Sequence, residues 1–160
     1  MSQERLFWDD IPVGHADRFG QYAVTAEEVV EFASKYDPQP FHLDADAAER
    51  SIFGGLCASG WHTCAMFMRM LVDHFSARGM ASLGSPGVEQ IQWRRPVFPG
   101  DVLHVKGEVV DKRASQSKPQ MGSVTSTYRV YNQKDEMVMS LHTTGFFRRR
   151  PTEAASAEAG

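Results

Sequence analysis

Two hydrophobic periods divide the chain. Up to Ala77 the apolar positions recur mainly at helical spacing; farther on they come in β-branched and aromatic runs. Thr25 and Glu28 form a Thr-x-x-Glu capping box, and Val29, Val30, Phe32, Ala33 and Tyr36 follow on one broad face, which predicts a helix. That helix must stop near Asp37, because Pro38 and Pro40 lack amide donors and push the residues before them out of helical geometry. Residues 37–42 are therefore expected to form a stiff loop, not a helix. A short helix over 44–50 and a break at Gly54 and Gly55 precede the longest apolar stretch, 60–77. There Trp61, Cys64, Ala65, Met68, Leu71, Val72 and Phe75 sit at helical spacing, with Met66, Phe67 and Met70 on other faces. A helix apolar nearly all round is expected to be enclosed by other structure, with its methionines filling an irregular core.

The strand signals lie at both ends. Residues 9–14 read as a turn before a first short strand at 19–24. Strands are expected at 88–95, 102–110, 123–131 and 137–149, with Pro99-Gly100-Asp101 as a tight turn. The segment 88–95 alternates without a cleanly apolar face. A long helix followed by a run of strands predicts an α+β fold, a curved antiparallel sheet packed on that helix.

Composition narrows the classes. With 160 residues the chain suits one domain, expected over 1–150, and 151–160, rich in Ala and Glu, reads as a disordered tail. Arg148, Arg149 and Arg150 before it read as a solvated strand end. A net charge of −3 gives no reason to expect nucleic acid or membrane as a partner, and no apolar run approaches the ~20 residues that span a bilayer. Residues 1–10 carry charges where a signal peptide would be apolar, so a cytoplasmic protein is expected. Cys57 and Cys64 read as reduced buried thiols. Pairing of either with His62 as a nucleophile is the weaker alternative, since no basic neighbour is evident. His15, His74, His104 and His142 show no metal-ligand spacing, no metal site is expected, and His62 reads as structural or peripheral.

The chemistry concentrates in Asp37-Pro38-Gln39-Pro40-Phe41-His42. A carboxylate and an imidazole five residues apart on a proline-stiffened segment can be held toward one cavity and can manage protons near neutral pH. Spacing alone leaves equally open a structural role, with Asp37 capping a turn and His42 bonded in the core. The second feature is Phe53-Gly54-Gly55-Leu56-Cys57-Ala58-Ser59-Gly60, just before the long helix. Free amides at a helix start can stabilise an oxyanion, and Gly60 would let a carbonyl approach closely. Taken alone, these glycines only make a bend.

Together the two segments, with Ala47-Ala48 between them, resemble the signature of the MaoC-like dehydratases, or (R)-specific enoyl-CoA hydratases. Arg95-Pro96-Val97-Phe98-Pro99-Gly100-Asp101 resembles that family's later Pro-x-x-x-Gly-Asp turn, and the likeness runs from about residue 8 to about residue 148. The resemblance implies a hotdog fold, an antiparallel sheet wrapped around a long central helix. It implies addition of water to a trans-2-enoyl-CoA, or its removal from a (3R)-hydroxyacyl-CoA. It also implies that Asp37 and His42 hold and activate the water while the Gly60 amide polarises the thioester carbonyl. No metal or redox cofactor is implied; CoA belongs to the substrate. The family motif has Asn where Gln39 stands, commonly a small residue in place of Tyr36, and commonly His in place of Ser59, and Pro38 is unusual at the variable position.

Gln39, Ser59, Trp61, Arg94 and Arg95 are the expected substrate-binding residues: Trp61 as core or pocket wall, Arg94 and Arg95 toward CoA phosphates, with a solvated strand end the equal alternative for the arginines. A homodimer is expected, or a higher oligomer of dimers, because a single sheet of this size leaves an edge strand open. The alternatives are a hotdog acyl-CoA thioesterase, in which the spaced Asp and His would generally be missing, and a non-catalytic acyl-CoA binding module.

Overall fold

The computed structural model describes residues 4–152. Its elements run β1 (Ala16–Ala23), α1 (Ala26–Tyr36), α2 (Pro40–Leu43), α3 (Ala45–Glu49), α4 (Gly60–Ala77), β2 (Ser82–Trp93), β3 (Val102–Ala114), β4 (Met121–Tyr131) and β5 (Met137–Arg148), with a 3-10 turn at Trp8–Asp10. The strands form one antiparallel sheet in the order β1-β3-β4-β5-β2. Met66, Phe67, Met70 and Leu71 of α4 pack against Leu103, Val105, Tyr128, Val130, Met139 and Leu141, which builds the main core between helix and sheet. This is the α+β hotdog arrangement that the sequence predicts.

The buried face of α4 differs from the expected one. His62, Thr63, Met66, Phe67, Met70 and Leu71 are buried, while Trp61 (59% exposed), Met68 and Val72 (48% each) face outward. A helix apolar nearly all round has little amphipathic bias, so polar partners help choose its face. His62 Nε2 meets Glu28 Oε1 at 3.0 Å and its ring stacks on Phe32, so a histidine goes in and a tryptophan stays out.

Glu28 is also why the capping box is only half made. Thr25 Oγ1 accepts from the Glu28 N–H at 3.2 Å, but the Glu28 carboxylate takes Tyr22 and His62 as partners instead.

The strands 88–95 and 102–110 run longer than the pattern suggested, starting at Ser82 and ending at Ala114 respectively. β2 has no clean face because it is an edge strand with bulges, exposed along nearly its whole length. Gly100, at φ +94°, makes the turn into β3, where Asp101 Oδ2 accepts from the Phe98 N–H at 2.9 Å.

Arg148 ends β5 exposed, as expected of a solvated strand end, whereas Arg149 and Arg150 are engaged as well. They bond Asp9 and Asp10 of the N-terminal turn, and Arg149 lies over the Trp8 ring. The expected tail lies, beyond Thr152, outside the described residues. Among the described residues no helix is long and apolar enough to cross a membrane.

Candidate active site

The segment 37–42 is only partly a loop. Asp37 caps the C-terminus of α1, its N–H reaching the Ala33 carbonyl at 2.9 Å. Pro40 takes the first position of α2, where its fixed φ suits a helix start and its missing N–H costs nothing. The resulting turn carries His42 inward until it is buried. Proline therefore ends one helix and starts the next.

His42 Nδ1 lies 2.7 Å from the Cys57 carbonyl oxygen. A carbonyl can only accept, so Nδ1 carries the proton and, in the neutral ring, Nε2 keeps its lone pair. Nε2 faces Asp37 Oδ2 at 3.4 Å. Asp37 has firm partners of its own: Ser59 Oγ donates to Oδ2 at 2.7 Å and Gln39 Nε2 donates to Oδ1 at 2.6 Å. Burial pushes the Asp37 carboxyl up, but those two hydrogen bonds and the nearby His42 outweigh it and hold the group below its ordinary range.

Gly60 opens α4, with Ser59 as N-cap accepting from the Trp61 N–H at 3.3 Å. Among the described residues the Gly60 N–H has no acceptor, as expected for the first turn of a helix. The space left by its missing side chain is occupied differently from expectation. A Cβ there would run into the Trp93 indole, whose Nε1 donates to the Gly60 carbonyl at 2.9 Å. The glycine is needed for Trp93 to pack, and only its amide is left for a substrate.

These groups meet in a cavity of about 410 Å³. Asp37, His42, Ser59, Gly60, Trp61, Arg94 and Arg95 all line it; Gln39 does not, and bonds Asp37 from outside. Arg94 and Arg95 sit just past the end of β2. Arg95 is paired with Glu136 at 3.1 Å, whereas among the described residues the Arg94 side chain has the Ser140 hydroxyl alone, 3.3 Å from its Nε. Sequence reasoning missed Trp93 as a wall residue. Its T-shaped contact with Trp61 (5.4 Å between centroids) joins the ends of two distant segments and leaves no local signal.

The cysteine alternative finds no support in this geometry. Cys57 lies beside His42, not His62, and burial pushes its thiol up to about 11. Cys64 Sγ contacts Met139. Among the described residues no cluster of three or more His, Cys, Asp or Glu side chains could hold a metal ion.

Comparison with known proteins gives a family match and named relatives. Residues 12–133 match the family model of the MaoC like domain. The crystal structure of the MaoC-like dehydratase from Rhodospirillum rubrum is similar at 41% identity and a TM-score of 0.83, covering 92% of this chain and 99% of that one. The uncharacterized protein YdeM of Bacillus subtilis is 27% identical over 130 residues, 81% of this chain and 90% of its own length. A 3-hydroxybutyryl-CoA dehydratase of Methylorubrum extorquens is 28% identical over 107 residues, 66% of this chain and 65% of that protein.

Proposed function

The chain belongs to the MaoC-like domain family, and on that premise we propose that it is a hydro-lyase acting on acyl-CoA. It adds water to a trans-2-enoyl-CoA or removes it from a (3R)-hydroxyacyl-CoA, with Asp37 and His42 as the acid–base pair and the Gly60 N–H as oxyanion donor. The observation that carries this reading is the convergence on one cavity of a carboxylate, an imidazole lone pair and an amide with no acceptor.

A water between Asp37 and His42 finds an acceptor on each side, so both its hydrogens are held and its oxygen lone pair is free to attack the substrate β-carbon. One proton passes to His42 Nε2, and the imidazolium that forms is stabilised by the adjacent Asp37 carboxylate. Charge moving onto the thioester oxygen meets the Gly60 N–H at the positive end of α4. The imidazolium then returns a proton to the α-carbon, which restores the site. The thioester is itself the substrate, and no step calls on a separate cofactor. Arg94, the less engaged of the two arginines, is the better placed to meet an anionic group of the substrate.

The reading includes a homodimer. β2 leaves one sheet edge unpaired, and Leu83, Val88 and Trp93 on it are exposed together with Trp61, Met68 and Val72 of α4. Burying a side chain of this kind contributes about 1.5–3 kcal/mol, so a second copy covering both strand and helix removes a substantial cost. Sedimentation showing a stable folded monomer at micromolar concentration would remove this part of the proposal. The activity is tested by incubating the protein with a panel of trans-2-enoyl-CoA thioesters, crotonyl-CoA included, and following enoyl absorbance. Release of free CoA without hydration would instead mark a thioesterase, and binding without turnover a carrier module.

A further inference from the structure

Asp37 presents two oxygens, and each has a donor that belongs to neither water nor substrate. Ser59 is fully buried, and its hydroxyl does two things at once: it donates to Asp37 Oδ2 at 2.7 Å and caps α4 by accepting from the Trp61 N–H. One oxygen atom therefore ties the acid–base arm of the site to the start of the helix that carries the Gly60 N–H. Gln39, two residues beyond Asp37, curls back to give its amide to Oδ1 at 2.6 Å. With both bonds made, the carboxylate cannot rotate without losing a charge-assisted hydrogen bond.

We propose that Ser59 and Gln39 are positioning residues for the hydration reaction. Ser59 locks the spacing between Asp37 and the Gly60 N–H, and Gln39 sets the rotation of the carboxylate so that Oδ2 faces His42 Nε2. Neither touches the reacting atoms. The roles rest on the hydratase reading above, but the clamp on Asp37 can be measured without turnover. The titratable and charged groups sharing the cavity with Asp37 are His42 on α2, Cys57 ahead of α4, and Arg94 and Arg95 beyond β2. The Cys57 thiol stays neutral across the working range. Asp37 is, among the described residues, the carboxylate in this cavity whose titration the two donors set.

The test uses the full chain and an enoyl-CoA that the wild type hydrates. Ser59→Ala is expected to lower kcat about tenfold, as for loss of one hydrogen bond to a charged group, with little change in KM. It should also move the acidic limb of the kcat profile to higher pH. Ser59→Thr keeps the hydroxyl and restores most of the rate. Gln39→Met, at an exposed position that leaves the core untouched, gives the same direction with a smaller loss, and Gln39→Asn is tolerated. In parallel, carbon NMR of the Asp37 carboxyl should show its titration midpoint rising in both Ser59→Ala and Gln39→Met. Folded Ser59→Ala and Gln39→Met proteins with wild-type kcat, pH profile and Asp37 titration would overturn the positioning roles while leaving the hydratase reading intact. A wild type inert toward every enoyl-CoA, with the midpoint shifts present, would overturn the hydratase reading and leave the clamp a structural one.

Discussion

Two aspartate–histidine pairs stand at opposite ends of α4. Near its C-terminus His74 Nε2 meets Asp17 Oδ2 at 2.7 Å, Arg78 donates to the same oxygen at 3.3 Å, and Phe19 stacks on the His74 ring at 4.1 Å. Near its N-terminus His42 and Asp37 stand 3.4 Å apart, each held by other groups: the Cys57 carbonyl on one side, Ser59 and Gln39 on the other. The first pair borders a cavity of about 60 Å³, the second one of about 410 Å³. The contrast separates a strut from a site. Asp17 and His74 satisfy each other, so the pair holds β1 to α4. Asp37 and His42 are kept just too far apart to do so, and the capacity they leave unused faces space that a substrate can fill.

The sharpest way to break this comparison is to neutralise one member of each pair. Asp37→Asn and His42→Gln are each expected to cut hydration by about 10²–10⁴-fold, the usual range for a general acid–base group, with folding kept. The double variant should be little worse than either single one, because the two groups act as a unit. Asp17→Asn should leave the steady-state rate near the wild-type level. A rate collapse in Asp17→Asn, or wild-type rates in both Asp37→Asn and His42→Gln, would erase the distinction.

Gly60→Val comes next in size. Its new side chain collides with Trp93 beside the amide donor. The expected loss is about 10²-fold in kcat, the scale of one oxyanion-hole donor, together with a lower melting temperature. Wild-type activity in this variant would take the oxyanion role away from Gly60.

The two ends of α4 were unequally legible in the sequence. Asp37 and His42 flank two prolines on one short segment, and Gly60 starts an apolar run, so local pattern made them candidates and the family resemblance gave them roles; the helix bounds, 60–77, also followed from the apolar run. Asp17 and His74 lie 57 residues apart, and only folding brings them together. The same limit explains the outward Trp61, the Trp93 wall and the Arg149 contact with Asp9, all decided by partners far along the chain. Gln39 and Ser59 stood out in the sequence as departures from a family pattern and as expected substrate-binding residues, not as partners of Asp37. Their bonds to Asp37 show a side-chain arrangement that residue type alone does not specify.

For stability the comparison should reverse. Removing the Asp17 charge strips the partner of His74 and Arg78 and is expected to cost about 1.5–3 kcal/mol, the range for hydrogen bonds to a charged group. At ~2–4 °C per kcal/mol for a chain of this size, thermal melting at neutral pH resolves it. Asp37→Asn should cost less, since an amide oxygen can still accept from Ser59. Equal losses in the two variants would mean that Asp37 is as much a strut as Asp17.

The smallest expected effect lies in acid. The folded Asp37 carboxyl titrates below its ordinary value of 3.8, because the Ser59 and Gln39 bonds and the charge of His42 outweigh the upward push of burial. As pH falls, the unfolded chain therefore takes up the Asp37 proton first. In that interval the unfolded state binds more protons, so stability drops. The contribution is complete above the ordinary value and disappears as pH passes below the folded one. Asp37→Asn has no proton to take up, and a protonated Asp37 differs little from an asparagine. The melting-temperature gap between the wild type and Asp37→Asn should then narrow as pH falls below the ordinary carboxylate value and close once the folded Asp37 is itself protonated. Asp9, Asp10 and Glu28 are also held below their ordinary values, but they titrate in both proteins and cancel from the difference. A gap that persists even where carbon NMR shows the folded Asp37 carboxyl to be protonated would mean that Asp37 draws no stability from its charge, and the clamp would lose its energetic basis.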